Sequence, residues 1–163
     1  MNDLKQFFTF GTRRIVRMAI IAALYYVFTM VLAPISFGAL QFRAANLLKP
    51  LALLSPDFGW GLSLGVFFAN MASPFGALDF VVMPIIDLCM VFVVWKLRGQ
   101  PVIALGLQAI VTGAAVAYFP LYLGGGVPLA FTLLPIIAAQ AIAGYAGHYL
   151  IWNNPNVKKV LGD

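Results

Sequence analysis

From Gly99 to Gly147 the chain carries no charged side chain, and from Met18 to Phe42 it carries none either. A helix needs about 20 apolar residues to cross the hydrocarbon core of a bilayer, so the first run has room for two crossings and the second for one. Composition points the same way: 63% of residues are hydrophobic and 9% charged, and the mean hydropathy of +0.96 is far above that of a soluble domain. The expected fold class is an all-α integral membrane bundle. Residues 1–163 form one transmembrane domain, with no room for a separate enzymatic one.

Breaks in the apolar pattern set the expected spans. Pro34 and the Ile35-Ser36-Phe37-Gly38 turn close a first span at about 15–34. A short piece at about 42–54 carries Arg43 and Lys49 and either tilts inside the bundle or crosses only part of the membrane. Further spans are expected at about 58–72, 79–97, 101–119 and 128–152, which makes six helices. Positive charge flanks the cytoplasmic ends of spans. With both termini cytoplasmic, Lys5, Arg13, Arg14, Arg17, Lys96, Arg98, Lys158 and Lys159 all fall inside. These short clusters are orientation signals, so the net charge of +5 implies no nucleic-acid partner. The N-terminus does not read as a cleaved signal peptide, and Phe7-Phe8-Thr9-Phe10-Gly11 is expected to lie as a short helix on the membrane surface. Cys89, the sole cysteine, excludes an internal disulfide and reads as a small core residue.

Arg43, Lys49, Asp79 and Asp87 are therefore the residues in need of a reason. A charge at membrane depth is costly, about 2.5–3.5 kcal/mol even on lenient scales, and persists where it pairs or lines a polar cavity. At about 1.5 Å per residue, Lys49 and Asp87 lie roughly 10 and 12 Å below the outer ends of their helices. Arg43 and Asp79 share a shallower level, so the four can form two rungs. Lys49 with Asp87 reads as a structural ion pair, too deep to snorkel to water. Arg43 with Asp79 reads as either a helix lock or a ligand site at the outer mouth. Gln41, Asn46, Asn70 and Tyr122 gather near it, beside the Gly124-Gly125-Gly126 loop. A carboxylate suits the paired N–H donors of an amidine-like or guanine-like edge, and Asn or Gln can read a carbonyl next to an N–H. Phe37, Phe42, Phe75 and Tyr122 are near enough to stack on a flat ring, or are belt aromatics.

Ala19 and Ala23, four apart on the first helix, let another helix backbone approach closely, whether a partner's or one of this chain's own. Gln108 and Gln140 are expected to make interhelical hydrogen bonds. His148 has no second histidine or nearby carboxylate, so no metal site and no cofactor are expected. No Walker loop, zinc helix motif or nucleophile elbow is present, so the chain is expected to be no enzyme and to need an outside source of energy.

The segment Leu32-Ala33-Pro34-Ile35-Ser36-Phe37-Gly38-Ala39-Leu40-Gln41-Phe42-Arg43, with Gly76-Ala77-Leu78-Asp79, resembles the QueT family. These are substrate-binding (S) components of energy-coupling factor (ECF) transporters, assigned to precursors of the tRNA base queuosine. The specific motif covers about a dozen residues and the Asp79 region, and the size and helix layout nearly the whole chain. The resemblance implies a multi-pass protein of the bacterial cytoplasmic membrane that captures a 7-deazaguanine base at its outer face. Capture would occur under a loop lid, here Ile35 to Gln41, and the bundle would then tilt while bound to a transmembrane coupling protein and two ATPase subunits. Arg43 and Asp79 match family positions, and Ala19 and Ala23 look like its docking motif. One departure is Asn46, where the family commonly has Glu: both accept a hydrogen bond, but only Glu brings charge. Without that charge the ligand is a deazaguanine or another small heterocycle. Two other readings stay open: an assembly or anchoring subunit whose charges only hold helices together, and a stand-alone transporter in which Asp87 carries a coupling proton.

Overall fold

The computed structural model describes residues 2–38 and 41–154, and every regular element among them is helical. In chain order they are α1 (Asn2–Phe7), α2 (Thr12–Val31), α3 (Ala33–Ser36), a 3₁₀ helix (Ala44–Leu53), α4 (Pro56–Asn70), a π-helical turn (Leu78–Val82) running into α5 (Met83–Lys96), α6 (Pro101–Val116) running into a second π stretch (Ala117–Gly124), and α7 (Leu129–Trp152). Pro56 and Pro101 each stand in the first turn of their α-helix, where the missing N–H costs nothing. Four helices are long and apolar enough to cross a membrane: Thr12–Val31, Leu78–Lys96, Pro101–Gly124 and Leu129–Trp152. Their outer faces are apolar; Phe131, Leu134 and Val31 are 75%, 74% and 73% exposed, which suits hydrocarbon and not water.

The two remaining expected spans are shorter than full crossings. Pro56–Asn70 has 15 residues, about 22 Å of α-helix against a core of about 30 Å. The segment expected at 42–54 is a buried 3₁₀ helix of ten residues. That geometry matters, because a 3₁₀ helix has about three residues per turn and about 2 Å rise, so side chains three apart eclipse one another. Arg43, at its N-cap, Asn46 and Lys49 thus stand in one column, with steps of about 6 Å. In an α-helix each member would be rotated from the last by about 60°. Gly147 of α7 lets the two backbones touch, since a Cβ there would collide with the Leu47 carbonyl oxygen.

The π stretches have a cause in sequence. Pro84 has no N–H to return to the Phe80 carbonyl, nor Pro120 to that of Val116, so the preceding turn widens. Asp79 sits in the first of them. On the other side of the bundle α2 packs on α4 through Gly61 and Gly65, whose missing side chains admit the Met18 carbonyl and the Tyr25 side chain.

The opposite end of the bundle is basic and aromatic. Arg14 and Arg17 reach Asp57, buried at the start of α4, at 3.6 and 3.8 Å. Arg98 lies over the Trp95 ring at 4.9 Å. The N-terminal segment differs from expectation here. Its helix ends at Phe7, whose ring is buried against Trp60, Phe92 and Trp95, and Trp60 Nε1 donates to the Phe7 carbonyl at 2.9 Å. Aromatic packing under the bundle outweighs flat adsorption for that residue, while Phe8 and Phe10 remain exposed. Lys158 and Lys159 lie outside the described residues.

Candidate functional site

The 3₁₀ column meets polar partners at three levels. At the outer level Arg43 Nη1 donates to Asn70 Oδ1 at 2.6 Å, and Nη2 donates to Asp79 Oδ2 and Gln41 Oε1, each at 3.4 Å. Asn70 Nδ2 donates to the Asp79 carboxylate at 3.0 Å and to its backbone carbonyl at 2.9 Å. Both ends of the Asn70 amide are thereby used, and it fixes Arg43 and Asp79 relative to each other. Phe37 covers the guanidinium at 5.2 Å, within cation–π range. Arg43 is only 5% exposed and Asp79 not at all. The outer pair is therefore not an open, water-filled mouth, as the sequence led one to expect. The widened turn draws Asp79 in under the end of α4, where Asn70 covers it.

At the middle level Tyr25 donates its hydroxyl to Asn46 Oδ1 at 3.1 Å, and Asn46 Nδ2 donates to Gln140 Oε1 at 3.2 Å. Thr112 also donates to Gln140 Oε1, at 3.3 Å. At the inner level Lys49 Nζ donates to Asp87 Oδ1 at 2.5 Å, and the Ser63 hydroxyl to Asp87 Oδ2 at 3.3 Å. α2, the 3₁₀ helix, α4, the first π turn, α5, α6 and α7 each contribute a polar group to this column, and two cations face two carboxylates, so the charges cancel.

Between the outer and inner levels lies a cavity of about 20 Å³, lined by Tyr25, Gln41, Arg43, Asn46, Lys49, Val66, Met83, Asp87, Thr112, Val116 and Gln140. That is room for about one water. Two donors of residues that line it, Gln41 Nε2 and Arg43 Nε, are buried with no hydrogen-bond partner among the described residues. Gln41 also holds φ of 43°, the one non-glycine residue there with positive φ. Such strain persists where the surroundings enforce it, and collects at ligand clamps.

A sequence model of the QueT transporter family matches residues 15–153, most of the chain. The chain belongs to the QueT transporter family. It is a multi-pass membrane protein of transport, and family membership points to a transporter and not an enzyme. No curated protein and no solved structure matches it.

Within this QueT bundle the residues singled out in the sequence divide clearly. Gln41, Arg43, Asn46, Lys49 and Asp87 line the cavity, while Asn70 and Asp79 stand behind Arg43 and hold it. Tyr122 is not brought to the column; it is 45% exposed and stacks on Tyr118 at 5.8 Å. Ala39 and Leu40, in the middle of the expected lid, lie outside the described residues. Gln140 makes the interhelical bond expected of it, whereas the Gln108 amide nitrogen is buried with no partner among the described residues. Tyr25 and Thr112 carried no mark in the sequence reading. A tyrosine near the middle of an apolar span needs a partner for its hydroxyl, and that was the available signal. Ala19 and Ala23 face outward into a broad apolar groove of about 720 Å³ between α2 and α4, with Leu64 and Phe68 on its other wall.

Proposed function

We propose that this QueT-family protein is the substrate-binding component of an ECF-type importer, with six helices in the bundle and both termini cytoplasmic. It captures a neutral 7-deazaguanine-like base in the cavity between Arg43 and Lys49 and hands it to a separate ATP-driven coupling module. The observation that carries this reading is the charge-balanced polar column with unspent donors, buried in the bundle of a transporter-family protein. An unpaired anion would upset that balance, whereas a neutral heterocycle with a donor and an acceptor edge fits it. Gln41, Arg43 and Asn46 contact the base, and Asn70 and Asp79 hold Arg43 in register. The present volume admits a base only if the Gln41 side of the cavity gives way, since small-molecule pockets run to hundreds of Å³.

The exposed Ala19 and Ala23 face receives a helix of the coupling protein. This is supported by the groove beside them and by small residues being what close helix contact in lipid requires. A proton-coupled transporter would need a carboxyl free to exchange its proton, and Asp87 is held by both Lys49 and Ser63, which counts against that role.

The deciding experiment is calorimetric titration of the purified protein with a panel of purine and 7-deazapurine bases. Micromolar or tighter binding of a deazaguanine is expected. Affinity weaker than high micromolar across the panel would leave only the anchoring-subunit reading. Replacing Ala19 and Ala23 together by Leu should leave that binding within about twofold and cut uptake in cells with the coupling module at least about tenfold. Unchanged uptake would free that face from a docking role.

A further inference from the structure

We infer that the outer end of the cavity is an acceptor-reading subsite, in which Gln41 Nε2 and Arg43 Nε together hold one carbonyl oxygen of the captured base. The inference rests on the substrate-binding role proposed above and adds the polarity of one edge of the ligand.

The orientation of the Gln41 amide follows from its neighbour. A guanidinium has donors only, so the Gln41 oxygen faces Arg43 Nη2, at 3.4 Å, and the amide nitrogen points elsewhere. Arg43 spends Nη1 on Asn70 and Nη2 on Gln41 and Asp79, which leaves Nε. Both remaining donors are buried, both residues line the same cavity, and neither atom has a partner among the described residues. Buried donors are rarely left without an acceptor. The cavity that both residues line takes one oxygen-sized group. Gln41 reaches this position through a backbone conformation that a glutamine seldom adopts, so its side chain is held inward against strain. A carboxylate or phosphate is a poor match, because the Arg43 charge is already balanced by Asp79 at 3.4 Å. A neutral oxo group brings acceptor lone pairs without net charge.

The test compares 7-deazaguanine with its 6-thio analogue, which keeps the ring N–H but offers a weak sulfur acceptor. The wild-type protein should bind the oxo base at least about tenfold more tightly. Gln41→Met, close in volume and without the donor, should bring that ratio below about threefold by weakening the oxo base alone. If Gln41→Met shows no cooperative thermal transition in detergent, Arg43→Lys gives the same reading, since it keeps the charge and lacks Nε. Equal affinities in the wild type, or a ratio that survives loss of the donor, would overturn the subsite while leaving the importer proposal intact. Binding of neither base removes both.

Discussion

The outer and inner levels of the column use the same chemistry to different ends. Each joins a cation of the 3₁₀ helix to an aspartate of the helix that begins at Leu78. The inner pair is short, 2.5 Å, with Ser63 as the other partner of the carboxylate. The outer pair is long, 3.4 Å, shared with Gln41 and Asn70, and leaves donors over. Residue choice accounts for this. Lysine is a compact point charge that one carboxylate can satisfy, whereas the arginine fork presents five donors and can exchange partners while remaining paired. On the proposed role, the Lys49 level is a fastening and the Arg43 level is where contacts are traded, as capture of a ligand from one end would require.

The largest expected effect breaks the inner level. Lys49→Met should destabilise the protein by about 3–5 kcal/mol, because it leaves the Asp87 carboxylate buried without its partner. Denaturant unfolding in detergent measures this, and Lys49→Met combined with Asp87→Leu should recover most of the loss. At the outer level Asp79→Ala should act mainly on binding. Arg43 loses a charge-assisted partner worth about 1.5–3 kcal/mol, so affinity for a deazaguanine should fall at least about tenfold, with a smaller loss of stability than at Lys49. Equal losses of stability at the two levels would make both of them fastenings.

Much of this contrast was legible beforehand. The charge-free runs located three of the four long crossings, and spacing placed Arg43 with Asp79 above Lys49 with Asp87. What sequence could not supply was the 3₁₀ geometry of Ala44–Leu53. Pro50 speaks against a regular α-helix there, but the backbone contact that Gly147 permits comes from a hundred residues away. Burial of the outer pair was missed for a related reason. Asp79 reads as the exposed start of a helix, and only the widened turn upstream of Pro84 brings it under Asn70. Arg14 and Arg17 read purely as orienting charges, although both reach Asp57.

That same Gly147 contact offers a perturbation common to both levels. Gly147→Ala must push the 3₁₀ helix away from α7, at a cost of about 1–3 kcal/mol typical of overpacking. Because Arg43, Asn46 and Lys49 ride on that helix, ligand affinity should fall along with thermal stability. Loss of stability with affinity unchanged would mean that the outer level is positioned by Asn70 and Asp79 alone.

The smallest effect is the most diagnostic, because it falls between the two levels. Tyr25 is buried, and its hydroxyl gives Asn46 Oδ1 the one donor found for it among the described residues. Tyr25→Phe keeps the ring packed against Gly65 and deletes only that oxygen. A neutral hydrogen bond contributes about 0.5–1.5 kcal/mol net. Asn46 stays tied to Gln140 through its amide nitrogen, so the variant should unfold only slightly earlier. Affinity for a deazaguanine should drop by about threefold to fivefold, since the amide that faces the cavity loses one of its two restraints. Should Tyr25→Phe instead destabilise the bundle as much as Lys49→Met, the middle level would belong to the fastening. The column would then be one continuous network, and the freedom assigned to its outer end would have to come from Gln41 alone.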